Sequence, residues 1–199
     1  MAKYTGPKDR QSRREGFDLF GKGAKLTRLQ VFPGVHGPKG AKGSSQYGRQ
    51  LREKQKVKRM YGILEKQFRT YVALAFKSKG NTGEAILSLL ERRLDNTVYR
   101  LGFAPTRPSA RQITSHGHIF VNGKRLNIPS YQVQEGDTVT LDTKGLAIPE
   151  VIKSLAVADH KLPSWLVKKA VVGKISGMPK REDIIEAISE QDIVEFYSR

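Results

Sequence analysis

Residues 84–142 read EAILSLLERRLDNTVYRLGFAPTRPSARQITSHGHIFVNGKRLNIPSYQVQEGDTVTLD. Ile86, Leu90, Leu94, Val98 and Leu101 recur three or four apart, which puts them on one side of a helix. Gly102, Pro105 and Pro108 then stop it. A second, shorter helix is expected from Ser109, whose hydroxyl stands in capping-box relation to Gln112, and Gly117 ends it. Ile119, Phe120 and Val121 lead into Asn122-Gly123, the dipeptide best suited to two successive positive φ angles and hence to a tight hairpin. Val133, Gly136-Asp137 and Val139-Thr140-Leu141 supply further strand and turn.

Working outward, residues 50–77 read as one long helix with a point of interruption at Gly62. Val57, Tyr61, Leu64, Phe68, Tyr71, Val72 and Ala75 form its apolar stripe. Arg52, Lys54, Lys56, Lys58, Arg59, Lys66 and Arg69 fill much of the remaining surface, and between Arg49 and Arg69 only Glu53 and Glu65 relieve them. Such self-repulsion costs helix stability unless an anion lies nearby, and an RNA backbone would supply one. Residues 1–48 are rich in Gly, Pro, Lys and Arg without a sustained apolar period, so this segment is expected to gain its order by binding RNA. Gly34, Gly37, Gly40 and Gly43 would let the backbone approach a phosphate. Ala41-Lys42-Gly43-Ser44 hints at a phosphate-binding loop but lacks the G-x-x-x-x-G-K-[ST] spacing. After Asp142 the signals weaken: a short helix from Pro149, a buried Trp165, strand near Val167, Val171-Val172 and Ile175, a helical turn within 182–188, and a final strand over 194–197.

The 199 residues carry 36 Lys and Arg against 19 Asp and Glu, a formal net charge of +17. Residues 1–60 hold +12 of it. An excess of this size favours an extended polyanion as partner. There is no cysteine, which excludes disulfides and thiolate metal sites. No apolar run approaches 18 residues, so no membrane span is expected. The N-terminus lacks the apolar core of a secretory signal.

The stretch around Arg93-Leu94-Asp95, Ala110-Arg111-Gln112 and Val121-Asn122-Gly123 closely resembles the S-four RNA-binding domain. Tyr4-Thr5-Gly6-Pro7, Ser12-Arg13-Arg14-Glu15-Gly16, Gln50-Leu51-Arg52-Glu53-Lys54-Gln55-Lys56, Lys79-Gly80-Asn81-Thr82-Gly83-Glu84 and the closing Val194-Glu195-Phe196-Tyr197-Ser198-Arg199 resemble the bacterial and organellar family of small-subunit ribosomal proteins that carries this domain. The resemblance implies an α+β fold in four parts. These are a basic extended N-terminal arm (1–42) ordered on RNA, a mainly helical domain (43–90 with 180–199), an inserted small α/β RNA-binding module (91–155, two helices with a β-hairpin and short strands), and a connecting segment (156–179). It implies a structural protein that binds a helical junction in the 5′ domain of small-subunit ribosomal RNA during assembly. Such a protein neighbours the S-five and S-three type proteins and messenger RNA where it enters the subunit, contributes to translational accuracy, and resides in cytoplasmic ribosomes, organellar ones not excluded. Many members of the family hold zinc through four cysteines; without cysteines this chain is expected to bind no metal and no cofactor. The alternatives are an RNA-modifying enzyme of the pseudouridine-synthase type and a stress-related ribosome-binding protein using the same module.

Candidate RNA contacts follow from charge and position. In the first segment they are Arg10, Arg13 and Arg14; on the long helix, Arg49, Arg52, Lys54, Lys56, Lys58, Arg59, Lys66 and Arg69. In the module, Arg107, Ser109, Arg111 and Gln112 lie at the short helix, and Asn122, Lys124 and Arg125 at the hairpin. Arg107, Arg111 and Arg125 are assigned to positioning, since Arg bonds phosphate bidentately, and Lys124 to bulk attraction. His116 and His118 flank Gly117; no carboxylate is near them in sequence, so hydrogen bonding to RNA is preferred over a metal pair. Glu91 and Asp95, one helical turn apart beside Arg92 and Arg93, read as ion-paired surface, with Asp95 anchoring a neighbouring basic residue, and not as a catalytic pair. No catalytic residue is expected. The eight Phe, seven Tyr and one Trp are expected on apolar stripes, leaving no aromatic pair to stack unpaired bases, so a folded RNA read by shape is favoured.

Overall fold

The computed structural model describes residues 4–39, 45–157 and 161–198, and the chain divides into two units, Met1–Gly83 with Ala187–Arg199 and Glu84–Glu186. The phosphate-loop fragment 41–44, Gly40 among its neighbours and the terminal Arg199 lie outside the described residues.

In the first unit the helices are α1 (Lys8–Glu15), α2 (Gln46–Met60), α3 (Glu65–Lys77) and, from the far end of the chain, α9 (Glu190–Tyr197). The helix expected over 50–77 is broken at the expected point, Gly62, into two. Gly62 takes φ +63°, a left-handed conformation that side chains resist, and the Ile63 N–H returns to the Lys58 carbonyl to close α2. The break shifts the helical phase, so Leu64 is exposed instead of joining the stripe, while Val57, Tyr61, Phe68, Tyr71, Val72 and Ala75 are buried. The strand expected over 194–197 is helical. Ile193 is buried, and the rings of Phe196 and Tyr197 lie against Tyr47 and Phe68, with centroids 5.6 and 5.8 Å apart. Four residues are too few to tell a period of two from a helix turn.

The first segment holds itself largely by polar ties. Arg13 donates to the Val31 and Phe32 carbonyls at 2.9 and 3.2 Å, Asp18 accepts from the Gly23 N–H at 2.7 Å, and Ser12, Leu19 and Leu26 are buried. Gly37 is buried with its α-carbon against the Phe32 carbonyl, where any side chain would collide.

The second unit contains α4 (Thr82–Glu91, which begins just before it), α5 (Leu94–Arg100), α6 (Arg107–Ser115), α7 (Thr143–Leu146) and α8 (Pro149–Leu155). Its strands are β1 (Ile119–Val121), β2 (Lys124–Leu126), β3 (Thr138–Leu141), β4 (Leu166–Lys169) and β5 (Val172–Ile175). The five stripe residues from Ile86 to Leu101 are all buried, yet Ile86 and Leu90 lie on α4, Leu94 and Val98 on α5, and Leu101 caps the end of α5. Arg93 is extended and bridges Gln132, and the segment after the hairpin supplies carbonyls from Tyr131 and Pro129 to the Leu94 and Asp95 N–H groups. A helix start leaves such donors without intrahelical partners, and here a distant strand-like segment takes them.

The second helix begins one turn earlier than its sequence signal. Thr106 is the N-cap, accepting from the Ser109 N–H at 3.3 Å, with Pro108 in the first turn. The hairpin forms as expected, with Asn122 and Gly123 at φ +51° and +75° between the paired Val121 and Lys124.

The sheet is antiparallel, in the order β2-β1-β3-β5-β4. Its last two strands fall in the segment read from sequence as a connection, and they meet at Ala170, φ +51°. One sheet face packs on α5 and α6 through Leu94, Val98, Leu101, Phe103, Ile113, Ile119, Val139, Trp165 and Ile175. Among the described residues no helix is long and apolar enough to cross a membrane.

Candidate nucleic-acid interface

The positive face expected on α2 is largely neutralised from within. Arg52 and Arg59 both pair with Glu15 of α1, Arg52 at 3.3 Å. Lys54 and Lys58 meet Glu65 at 2.8 and 2.9 Å, Lys56 meets Glu53 at 3.1 Å and also the Ala187 carbonyl, and Arg49 meets Asp192 at 3.3 Å. The anions that the sequence reading sought in RNA come from α1, α3, α9 and, in Glu53, from α2 itself. Lys54 is therefore no exposed contact: it is buried, with its ammonium 4.5 Å from the Phe196 ring centroid. Burial would raise the Glu65 carboxyl, but Lys54, Lys58 and the Tyr197 hydroxyl outweigh it and hold it at about 2. Burial dominates at Glu15, whose side chain is 1% exposed: it lifts this carboxyl above its ordinary value against the pull of Arg52, Arg59 and Arg14. Arg10, Arg14, Lys66 and Arg69 remain exposed, with no ion pair or side-chain hydrogen bond among the described residues.

In the second unit the arginines assigned to positioning are themselves positioned. Glu91 accepts from Arg100 at 2.8 Å and from the Asn96 amide at 2.8 Å; Arg100 reaches Glu186 at 2.9 Å; Glu186 accepts from Arg107 at 2.7 Å; and Arg107 closes the ring on the Asn96 side-chain oxygen at 2.9 Å. Arg107 also lies over the Tyr99 ring at 4.7 Å. Beside this ring Asp95 takes Arg93 at 2.7 Å and Arg111 at 3.4 Å. Asp95 thus anchors basic neighbours as expected, but Glu91 and Asp95 are buried and not surface. Burial works against ionising Glu186, yet Arg100 and Arg107 hold its carboxyl at about 2. Ordinary carboxyl–guanidinium bookkeeping makes such a buried pair costly to break from one side.

The remaining module residues divide. Arg125 donates to the Gly117 and His116 carbonyls at 2.7 and 3.3 Å, which fixes its plane at the hairpin edge. Ser109 donates to Glu150 at 2.8 Å. His118 lies 3.2 Å from an Asp142 oxygen, so a carboxylate is near it after all, and the His116 and His118 rings are 6.3 Å apart. Among the described residues no group of three His, Cys, Asp or Glu could hold a metal. Gln112, His116 and Lys124 are exposed. Asn122 donates to Asp137 at 2.7 Å and accepts from the Thr138 N–H at 2.9 Å, so it serves the hairpin itself. Asn122→Ala should lose these bonds and strain the positive φ, costing about 2 kcal/mol in denaturant unfolding. A loss below about 0.5 kcal/mol would contradict that role.

Sequence reasoning missed Glu186, Arg100 and Asn96 as parts of the frame, and Glu15 as the buried partner of α2. Glu186 stands far along the chain from Glu91, and no local spacing connects them.

The helix pair, hairpin and clamped arginines define an RNA-binding module. Residues 92–139 match the family described as S4 domain, and residues 3–91 match Ribosomal protein S4/S9 N-terminal domain. The chain is 50% identical over 207 residues to the small ribosomal subunit protein uS4 of Ralstonia pickettii (strain 12J), and the match covers all of both chains. The uS4 proteins of Burkholderia vietnamiensis (strain G4 / LMG 22486) and Chromobacterium violaceum are 50% and 48% identical, again over the whole of each chain. The chain belongs to the uS4 family of small ribosomal subunit proteins.

Proposed function

We propose that this protein is a structural, non-catalytic constituent of the small ribosomal subunit in the cytoplasm. It binds and organises a helical junction in the 5′ domain of small-subunit ribosomal RNA during assembly. It neighbours the S-three and S-five type proteins, borders the path by which messenger RNA enters, and so contributes to translational accuracy. The observation that carries the reading is the end-to-end match to uS4 at 50% identity.

Chemically, the protein works by releasing counterions and by fixing RNA helices that would otherwise repel. Arg125, held by backbone carbonyls, presents a guanidinium group of set orientation, and Arg10, Arg14, Lys66, Arg69 and Lys124 add mobile charge, while Arg107 and Arg111, largely buried on Glu186 and Asp95, hold the helices that carry this surface. Ser109, Gln112, His116 and His118 add hydrogen-bonding groups near the short helix. Deleting the first segment outright would also remove Glu15 from Arg52 and Arg59, so its RNA role is better tested by Arg10→Gln with Arg14→Gln. This pair should weaken binding to the junction several-fold and flatten the salt slope by about 1.8, because each duplex phosphate contact contributes about 0.9. An unchanged slope would remove these arginines from the interface.

A further inference from the structure

The five strands contain Lys124, Arg125, Lys168, Lys169 and Lys174 and not one carboxylate. One sheet face is the core. On the other, the register aligns Arg125, Phe120, Thr140, Val172 and Lys169 in a single row across all five strands. A second row holds Thr138, Lys174 and Val167. Val167 and Val172 are 44% and 41% exposed, Lys169 and Lys174 are exposed, and Phe120 is half-buried between its neighbours. Two of this face's five strands, β4 and β5, lie beyond the residues that match the S4 domain.

We infer that this open sheet face binds an unpaired segment of RNA, which runs from Arg125 at the hairpin edge across to β4 and so extends the junction surface of the helix pair and hairpin. Charge complementarity points to a polyanion, since every ionisable group on the strands is a cation. The aromatic ring points to RNA over an acidic protein segment. Phe120 sits between the fixed Arg125 and the Thr140 hydroxyl, a platform on which a base can stack while the Thr140 hydroxyl meets a ribose or phosphate oxygen. Stacking of this kind needs a base free of its duplex. Five strands at about 4.8 Å spacing put Arg125 and Lys169 roughly 19 Å apart, room for about four nucleotides of a crossing strand. The sequence reading sought a pair of surface aromatics and found none; one aromatic, placed by register between cations contributed by distant strands, does not show in local spacing.

The test uses the full chain and two RNAs, a blunt 5′-domain junction fragment and the same fragment with an unpaired tail of about eight nucleotides. For the wild type the tail should raise affinity about tenfold. In Lys169→Gln with Lys174→Gln that gain should vanish and the salt slope on tailed RNA should fall by about 1.4, two single-strand contacts at about 0.7 each. Phe120→Leu, which keeps an apolar side chain of similar size, should lose about fivefold of the gain. All three proteins should bind the blunt fragment alike. No tail gain in the wild type, or the same gain in the lysine variant, overturns the inference. So does a lysine variant that keeps the gain but drops an acidic protein from purified subunits, which would put a protein on this face. Failure of the blunt fragment to bind would instead sink the junction reading and leave the tail comparison intact.

Discussion

Glu186→Gln should destabilise residues 84–186 by about 2–3 kcal/mol, read as a lower midpoint in denaturant. Glu186 is the joint at which Arg100 and Arg107 meet, at 2.9 and 2.7 Å. The substitution keeps the shape and removes the charge, leaving two guanidinium groups crowded in a partly buried site. Arg100 retains Glu91 and Arg107 retains Asn96, which keeps the loss below that of stripping a lone buried pair. The same joint sets a pH dependence. The folded-state carboxyl is depressed from 4.5 to about 2. Its stabilisation is therefore complete above the ordinary carboxyl range and is lost as pH falls through the interval down to about 2. Wild type should weaken over that window more steeply than Glu186→Gln. Equal stabilities at neutral pH, or parallel pH profiles, would show that the ring is not held by this charge.

Raising salt from about 50 to about 200 mM should weaken binding to the ribosomal RNA junction about a thousandfold, as about six phosphate contacts imply. The net charge of +17 alone would suggest a steeper response. The α2 face, however, spends its cations on Glu15, Glu53, Glu65 and Asp192, so they displace no counterions from RNA. The contacts must come from side chains such as Arg10, Arg14, Lys66, Arg69 and Lys124, together with Arg125, which only backbone carbonyls hold. A slope nearer ten contacts would mean that α2 breaks its ion pairs to meet RNA. A slope near zero would remove phosphate from the mechanism. Measuring affinity at four or five salt concentrations separates these outcomes.

The stretch over residues 84–142 was legible because its signals are local. Asn122-Gly123 demands its turn, and the leucine stripe demands a buried face, whichever helix carries it. What escaped was set by partners far along the chain. The break at Arg93 follows from carbonyls of Pro129 and Tyr131, the helical state of 194–197 from packing on α2 and α3, and the burial of Lys54 from Glu65 and Phe196. The candidate contacts divide the same way. Charge and exposure picked out Lys124 and Arg14 correctly as exposed cations. The same rule could not see that Arg107 and Arg111 are held by Glu186 and Asp95, or that Lys169 and Lys174 share a sheet face with Phe120.

The most direct test of the account is equilibrium binding of the full chain to a small-subunit ribosomal RNA fragment containing the 5′-domain junction, with a scrambled RNA of equal length as competitor, at physiological salt. Tight binding that survives the competitor and weakens in Lys124→Ala and Arg125→Ala is expected. Equal affinity for junction and scrambled RNA would contradict it, leaving a basic surface without a shape to recognise.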